Sequence, residues 1–350
     1  TSMEVKSIDE QKILFMNRSE IAVYDADALH AQQLNNWNGW WCSAGVRSLY
    51  VQHDGLVYRA TCEQGGAIGS IYNENFNSHL TEEWIQCTKN TCACGSDMQS
   101  LKVVNQEDTY LATRYSMEDI DYSNLKLVDK VESPTISFCG AFKEYKLVVW
   151  EIGRRCNYDC WYCFPDSHNT YEGHKTLGSF MTGLESLQLF WAKGSKMKFV
   201  FTGGEPTFNP NFLEFVTHLH DNLYHIAHTT TNGSHTEEYY KKLIQVSDIG
   251  FSAHLSYLEN PAMYDKFLKN IRAAETSRVS TEESKLNWLG VRIMLQPGKL
   301  ELATRLYNDC KKITSNITID FIHGHDKKII PYEEKEIIWM TKENGNTSRN

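Results

Sequence analysis

Three cysteines fall within eight residues, Cys156, Cys160 and Cys163, and form the tightest set of soft ligands in the chain. Thiolates this close, on a loop behind a β-rich run, can wrap a compact inorganic core. A 4Fe-4S cluster normally takes four thiolates. With three, one iron keeps an open position, as a catalytic zinc keeps a place for water or substrate. Zinc is the alternative occupant, with His168 or His174 as fourth ligand, although zinc pairs usually come as Cys-x2-Cys twice over. A second set, Cys42, Cys62, Cys87, Cys92 and Cys94, lies upstream and suggests another metal centre. Four ligands suffice for a cluster or a structural zinc, so one of these five is surplus, and Cys87 is taken as that one. Of the remaining cysteines, Cys310 sits on an apolar helical stripe and reads as core.

The elements that must hold these ligands follow from periodicity. Short β-rich runs alternate with helical patterns, the mark of βα units around a parallel sheet. Six strands are expected, around Leu147–Trp150, Lys198–Phe201, Ile226–Thr229, Ile249–Ser252, Val291–Met294 and Ile317–Asp320. Between the first two, Leu177, Phe180, Met181, Leu184, Leu187 and Trp191 recur three or four apart, as a helix packed on the sheet requires. Upstream, Leu49-Tyr50-Val51 and Leu56-Val57-Tyr58 flank Asp54-Gly55, which predicts a β-hairpin with Cys42 and Cys62 beyond its two ends. The expected fold class is α/β, a partial (β/α)6 TIM-like barrel with a small N-terminal cysteine-rich β module. The expected divisions are an N-terminal segment (1–33), the cysteine-rich module (34–105), a polar connector (106–140), the barrel (141–330) and a C-terminal extension with a polar tail (331–350). Its end, from Lys342, is polar enough to be disordered.

Composition bounds the partners. With 350 residues, 41% hydrophobic and 23% charged, the chain can bury a sizeable core. A formal net charge of -9 disfavours tight nucleic-acid binding, which needs a basic surface. No stretch approaches the ~20 apolar residues that span a bilayer, and the opening residues carry no basic-then-apolar leader. A soluble cytoplasmic protein without membrane partners is expected, and ten cysteines in tight clusters then read as metal ligands instead of disulfides.

Cys-x3-Cys-x-aromatic-Cys after a strand resembles the signature of the radical S-adenosylmethionine (SAM) superfamily. Gly203-Gly204-Glu205-Pro206 after the second strand resembles the Gly-Gly-Glu-Pro motif of the same family, and Thr230-Thr231-Asn232-Gly233 after the third its Thr-Asn-Gly turn. The resemblance covers roughly Leu147 to Gly324. It implies a 4Fe-4S cluster on the three cysteines, an open iron that chelates SAM, and Tyr162 near the adenine. Gly203, Gly204, Glu205 and Pro206 would engage the methionyl amino group. Thr231, Asn232, Ser252 and His254 would contact the ribose or methionyl part, and Arg292 the carboxylate. For a polar strand residue, the alternative is a satisfied structural hydrogen bonder.

The hairpin around Asp54-Gly55 resembles the first half of the SPASM domain, an auxiliary iron-sulfur domain of peptide-modifying radical SAM enzymes. Here it precedes the barrel, and its cysteine run is shortened to Cys87-x4-Cys92-x-Cys94. A second iron-sulfur cluster is therefore expected, with zinc as alternative.

The implied activity is reductive cleavage of SAM to a 5'-deoxyadenosyl radical, fed by flavodoxin or ferredoxin. That radical would abstract hydrogen from a peptide or carrier-linked small molecule. The alternatives are a nucleoside or DNA base as substrate, or a non-catalytic electron-transfer or metal-binding protein. His323-Gly324-His325-Asp326, after the last strand, is a further candidate substrate contact.

Overall fold

The structure, a computed structural model, describes residues 12–24, 26–73, 83–92, 94–109, 125–139, 145–163, 171–191, 196–223, 225–278, 287–324 and 329–347. His168, His325, Asp326 and much of the expected connector lie outside them. The chain divides into two compact units, one of residues 1–149 and 181–198, the other of 150–180 and 199–350.

The first unit contains a largely antiparallel sheet in the order β7-β3-β8-β10-β1-β2-β9. Its strands are β1 (Ile13–Met16), β2 (Glu20–Tyr24), β3 (Trp41–Cys42), β7 (Ile85–Gln86), β8 (Lys102–Val103), β9 (Lys126–Leu127) and β10 (Ile136–Cys139). Side chains alternate between faces, so β1 is apolar throughout: Ile13 and Phe15 pack with Tyr24, Trp37 and Met98, while Leu14 and Met16 pack with Ile21, Leu101 and Phe138. The expected hairpin joins β4 (Ser48–Val51) to β5 (Leu56–Tyr58), with β6 (Ala67–Ser70) alongside. Its turn is made by Gly55 at φ 91° and by Asp54, whose carboxylate accepts the Leu56 N–H at 2.9 Å.

All six expected barrel strands are present: β11 (Lys146–Glu151), β12 (Met197–Thr202), β13 (Ile226–Thr231), β14 (Asp248–His254), β15 (Leu289–Leu295) and β16 (Ile317–Phe321). Their C-terminal portions belong to the second unit, where β13 to β16 pair in parallel in sequence order. One face is apolar and covered. Phe199, Phe201, Ile249, Phe251, Val291 and Ile293 are all buried, as are Phe212, Phe215, Val216 and Leu219 on the helix Phe212–Leu223. Trp150 lies within 6.3 Å of the Phe199, Phe201 and Phe180 rings. The alternate positions are polar: Thr202, His228, Thr230, Ser252, His254 and Arg292.

The C-terminal end departs from expected disorder, since a helix spans Glu334–Thr347. Polarity does not keep it loose, because polar groups dock it. The Asn344 side-chain amide both donates to and accepts from the main chain of Ile319 on β16, at 2.9 and 3.0 Å. Glu336, fully buried, accepts the Gly298 N–H at 2.7 Å.

Candidate functional site

The loop after β11 carries the three cysteines and is laced to the end of β12. The Gly204 N–H donates to the Gly153 carbonyl at 2.8 Å and the Glu205 N–H to the Arg155 carbonyl at 2.9 Å, extending the strand pairing past both strand ends. This contact explains the glycine pair. A Cβ on Gly204 would stand 2.3 Å from the Arg155 oxygen, and one on Gly203, whose φ is 118°, 2.4 Å from the Gly153 oxygen. The glycine pair thus allows the end of β12 to approach the cysteine loop closely.

Glu205 is 4% exposed. One carboxylate oxygen accepts the Thr207 N–H at 3.0 Å, the Thr207 hydroxyl at 2.6 Å and the Thr231 hydroxyl at 2.7 Å; the other accepts the Asn232 N–H at 2.6 Å. Burial pushes its pKa up, and these hydrogen bonds oppose the shift. One oxygen is thus saturated by the protein, while the other, with a single donor, keeps an acceptor direction open. Pro206 begins the short 3-10 turn Pro206–Phe208 that brings Thr207 back onto Glu205. Asn232 extends the lacing, donating from its amide to Asn157 inside the cysteine loop at 2.9 Å.

Cys156, Cys160 and Cys163 share an apolar pocket with Tyr158, Tyr162 and Ile322. Burial pushes the Cys156 thiol up to about 12 and Cys160 up to about 11, with the neighbouring cysteines adding to both, and it raises Cys163 as well. Grouped, desolvated thiols of this kind become thiolates when a cation takes them, which is the donor chemistry an iron-sulfur cluster needs. The donor chemistry therefore suits a cluster, although among the described residues no three ligating side chains are already drawn together around a metal position. Tyr162 donates or accepts at 2.7 Å with His254 Nδ1, and the Cys160 sulfur lies 3.5 Å from the same nitrogen. Burial lowers His254 to about 4, so its imidazole is neutral at ordinary pH. Tyr158 stacks on Tyr257 with ring centroids 3.9 Å apart.

Ser252 and Arg292 are register partners on β14 and β15, one step inward along the face from His254. Arg292 Nε lies 3.0 Å from an Asp320 carboxylate oxygen. His174, the other zinc-ligand candidate, lines a recess with Arg155 and Glu205 and meets the Phe208 ring at 5.3 Å. Asn157, Thr207, Tyr257 and Gln296, whose side chain hydrogen-bonds Tyr162, were not singled out from sequence. Asn157 lies within the cysteine spacing and could have been flagged; Tyr257 and Gln296 carry no local signal.

In the first unit, Cys42, Cys62, Cys87 and Cys92 line one cavity with Asp97 and Lys102. Cys94 caps the helix Gly95–Met98, and its thiol is engaged by Thr61. Burial raises Cys42, Cys62 (to about 11), Cys92 and Cys94, and the cysteines Cys42 and Cys87 both add to the shift of Cys62. Thus Cys87, the cysteine taken as surplus, stands on the cavity wall.

Residues 150–295, which hold all three loop cysteines and the Gly203–Pro206 turn, match the radical SAM superfamily. The chain contains a radical SAM domain. It is 37% identical over 93 residues to GTP 3',8-cyclase of Nautilia profundicola, covering 26% of this chain and 29% of that protein. The chain thus spans under a third of this curated relative. Among solved structures it is similar to Streptococcus suis SuiB bound to the precursor peptide SuiA, at 14% identity and TM-score 0.42, covering 58% of this chain and 46% of that one. It is also similar to anSMEcpe with bound AdoMet, at 16% identity and TM-score 0.39, covering 51% of each. No helix among the described residues is long and apolar enough to cross a membrane.

Proposed function

We propose that this chain is a radical SAM enzyme whose Cys156, Cys160 and Cys163 hold a 4Fe-4S cluster. The observation that carries the reading is the placing of three cysteines, one buried and two half-buried, on a loop laced to Gly204 and Glu205 within the matched domain. When bound, the cluster and SAM supply the 5'-deoxyadenosyl radical that takes hydrogen from the substrate. The protein's own residues do the positioning. Glu205 fixes the ends of β12 and β13 through Thr207, Thr231 and Asn232, and Asn157 ties the cysteine loop to that frame. Tyr158, Tyr162 and Ile322 make an apolar wall on one side of the cysteines, which limits the access of water there. Gly203, Gly204, Glu205, Pro206, Thr231, Asn232, Ser252, His254 and Arg292 remain the proposed SAM contacts, with Tyr162 beside the adenine.

The substrate class we favour is a peptide or a carrier-linked small molecule, supported by the cysteine-bearing hairpin of the first unit. A nucleotide is the second reading, favoured by the likeness to GTP 3',8-cyclase. Flavodoxin or ferredoxin is the proposed electron donor, and the reducing cytoplasm the proposed setting. A second centre, iron-sulfur in preference to zinc, is proposed on Cys42, Cys62, Cys87 and Cys92.

The test is anaerobic reconstitution with iron and sulfide, followed by dithionite and SAM and assay for 5'-deoxyadenosine. About eight irons per chain are expected from two clusters, about four if only one forms. Nucleoside release should be lost in Cys160→Ala. Release of no nucleoside by the iron-loaded wild type would overturn the enzyme reading.

A further inference from the structure

The cysteine cavity of the first unit has an unusual wall. Lys102 is 2% exposed, and its Nζ donates to the carbonyls of Asp97, Met98 and Ser100 at 2.7, 3.2 and 2.9 Å. It also stands 4.4 Å from the centre of the Trp37 ring. Its three donors are therefore satisfied, but by neutral oxygens and an aromatic face. The Asp97 carboxylate accepts the Thr61 hydroxyl at 2.6 Å and the Cys62 N–H at 3.1 Å; it also interacts with the Lys102 charge, but burial pushes its pKa up, toward the neutral acid. Taking a charge out of water costs several kcal/mol unless an opposite charge accompanies it.

Lys102 and Cys42 are direct register partners on the antiparallel pair β8 and β3, so their side chains stand on the same face. Lys102 and the cysteines Cys42, Cys62, Cys87 and Cys92 line one cavity. A metal held by four thiolates is anionic: a zinc site carries two negative charges, and a 4Fe-4S centre carries two or, when reduced, three.

We propose that Lys102 is the built-in counter-charge of a four-thiolate metal centre on Cys42, Cys62, Cys87 and Cys92, favouring metal capture and, in an iron-sulfur centre, the reduced state. This rests on the reading of those cysteines as ligands. Cys94, which is not among the residues lining that cavity, is left outside the ligand set.

The test uses the full chain with Cys156, Cys160 and Cys163 replaced by Ala, so that one thiolate site remains. Zinc affinity is measured by chelator competition in this background, in Lys102→Met and in Lys102→Arg. Loading with iron and sulfide then gives midpoint potentials by redox titration. Lys102→Met should weaken zinc binding at least tenfold and make the iron-loaded centre at least tenfold harder to reduce, ~59 mV for one electron. Lys102→Arg should stay near the parent. The gain in melting temperature on metal loading should also shrink in Lys102→Met, because metal binding stabilises by linkage.

A lysine that merely braces the Asp97–Ser100 loop would lower the metal-free and metal-loaded melts equally and leave affinity unchanged, which overturns the proposal. A Lys102→Met chain that fails to fold even with metal overturns it too, provided Lys102→Gln folds and binds zinc like the parent. If the parent itself takes up neither zinc nor iron, the ligand reading fails, and the counter-charge with it.

Discussion

The Glu205 carboxylate accepts the main-chain N–H of Asn232 at 2.6 Å, which ties together the ends of two neighbouring strands. With Thr207 and Thr231 on its other oxygen, this carboxylate sets the spacing of two loops that border the cysteine pocket. Its place in the fold is structural before any ligand arrives.

Glu205→Gln should therefore cost stability. The amide replaces one acceptor oxygen by a donor NH2, which must face either the Asn232 N–H or the donors of Thr207 and Thr231. A buried donor left against a donor costs about 1–3 kcal/mol. Urea denaturation of the metal-free chain should show that loss. A carboxylate serving SAM alone would leave the denaturation midpoint where it is, so an unchanged midpoint counts against the structural role.

The same residue shows how far the sequence could be read. The strands were legible because apolar residues recur with period two and helices intervene; Phe199, Phe201, Ile249 and Phe251 are buried as that pattern requires. Cysteine spacing marked the pocket for a similar reason, since three thiols within eight residues lie close together on one loop. The partners of Glu205 were not legible, because Thr207 and Thr231 meet only through the parallel alignment of strand ends. The stacking of Tyr158 on Tyr257 and the pairing of Arg292 with Asp320 depend on register in the same way. In the cysteine module, spacing alone could not tell Cys87 from Cys94. The cavity lining includes Cys87 and not Cys94, a placement that depends on the fold and not on spacing.

Gly204→Ala should damage the site more than Gly153→Ala. The added methyl would meet main-chain oxygens of Arg155 and Arg154 at 2.3 and 2.5 Å, atoms that cannot swing aside, whereas a Cβ at Gly153 meets nothing within 4 Å. Overpacking of this kind costs about 1–3 kcal/mol or more. Thermal melts and iron content after reconstitution should both fall for Gly204→Ala and stay near wild type for Gly153→Ala. Equal losses in the two variants would contradict the close-approach account of the glycine pair.

His225 gives the second unit a pH dependence with a definite sign. It is 7% exposed and sits 5.6 Å from the Phe199 ring, and burial lowers its pKa to about 4. An unfolded histidine titrates near 6.5. Between those values the unfolded chain binds more protons than the folded one, so the stability that the neutral ring preserves is complete above about pH 6.5 and is lost as pH falls toward 4. Allowing for partial solvation, the loss is on the order of 1–3 kcal/mol. Other carboxylates titrate in the same range, so the informative quantity is a difference. Urea midpoints at pH 7.5 and pH 5 should separate more in wild type than in His225→Gln, and identical separations would mean that this ring is not what couples folding to protons.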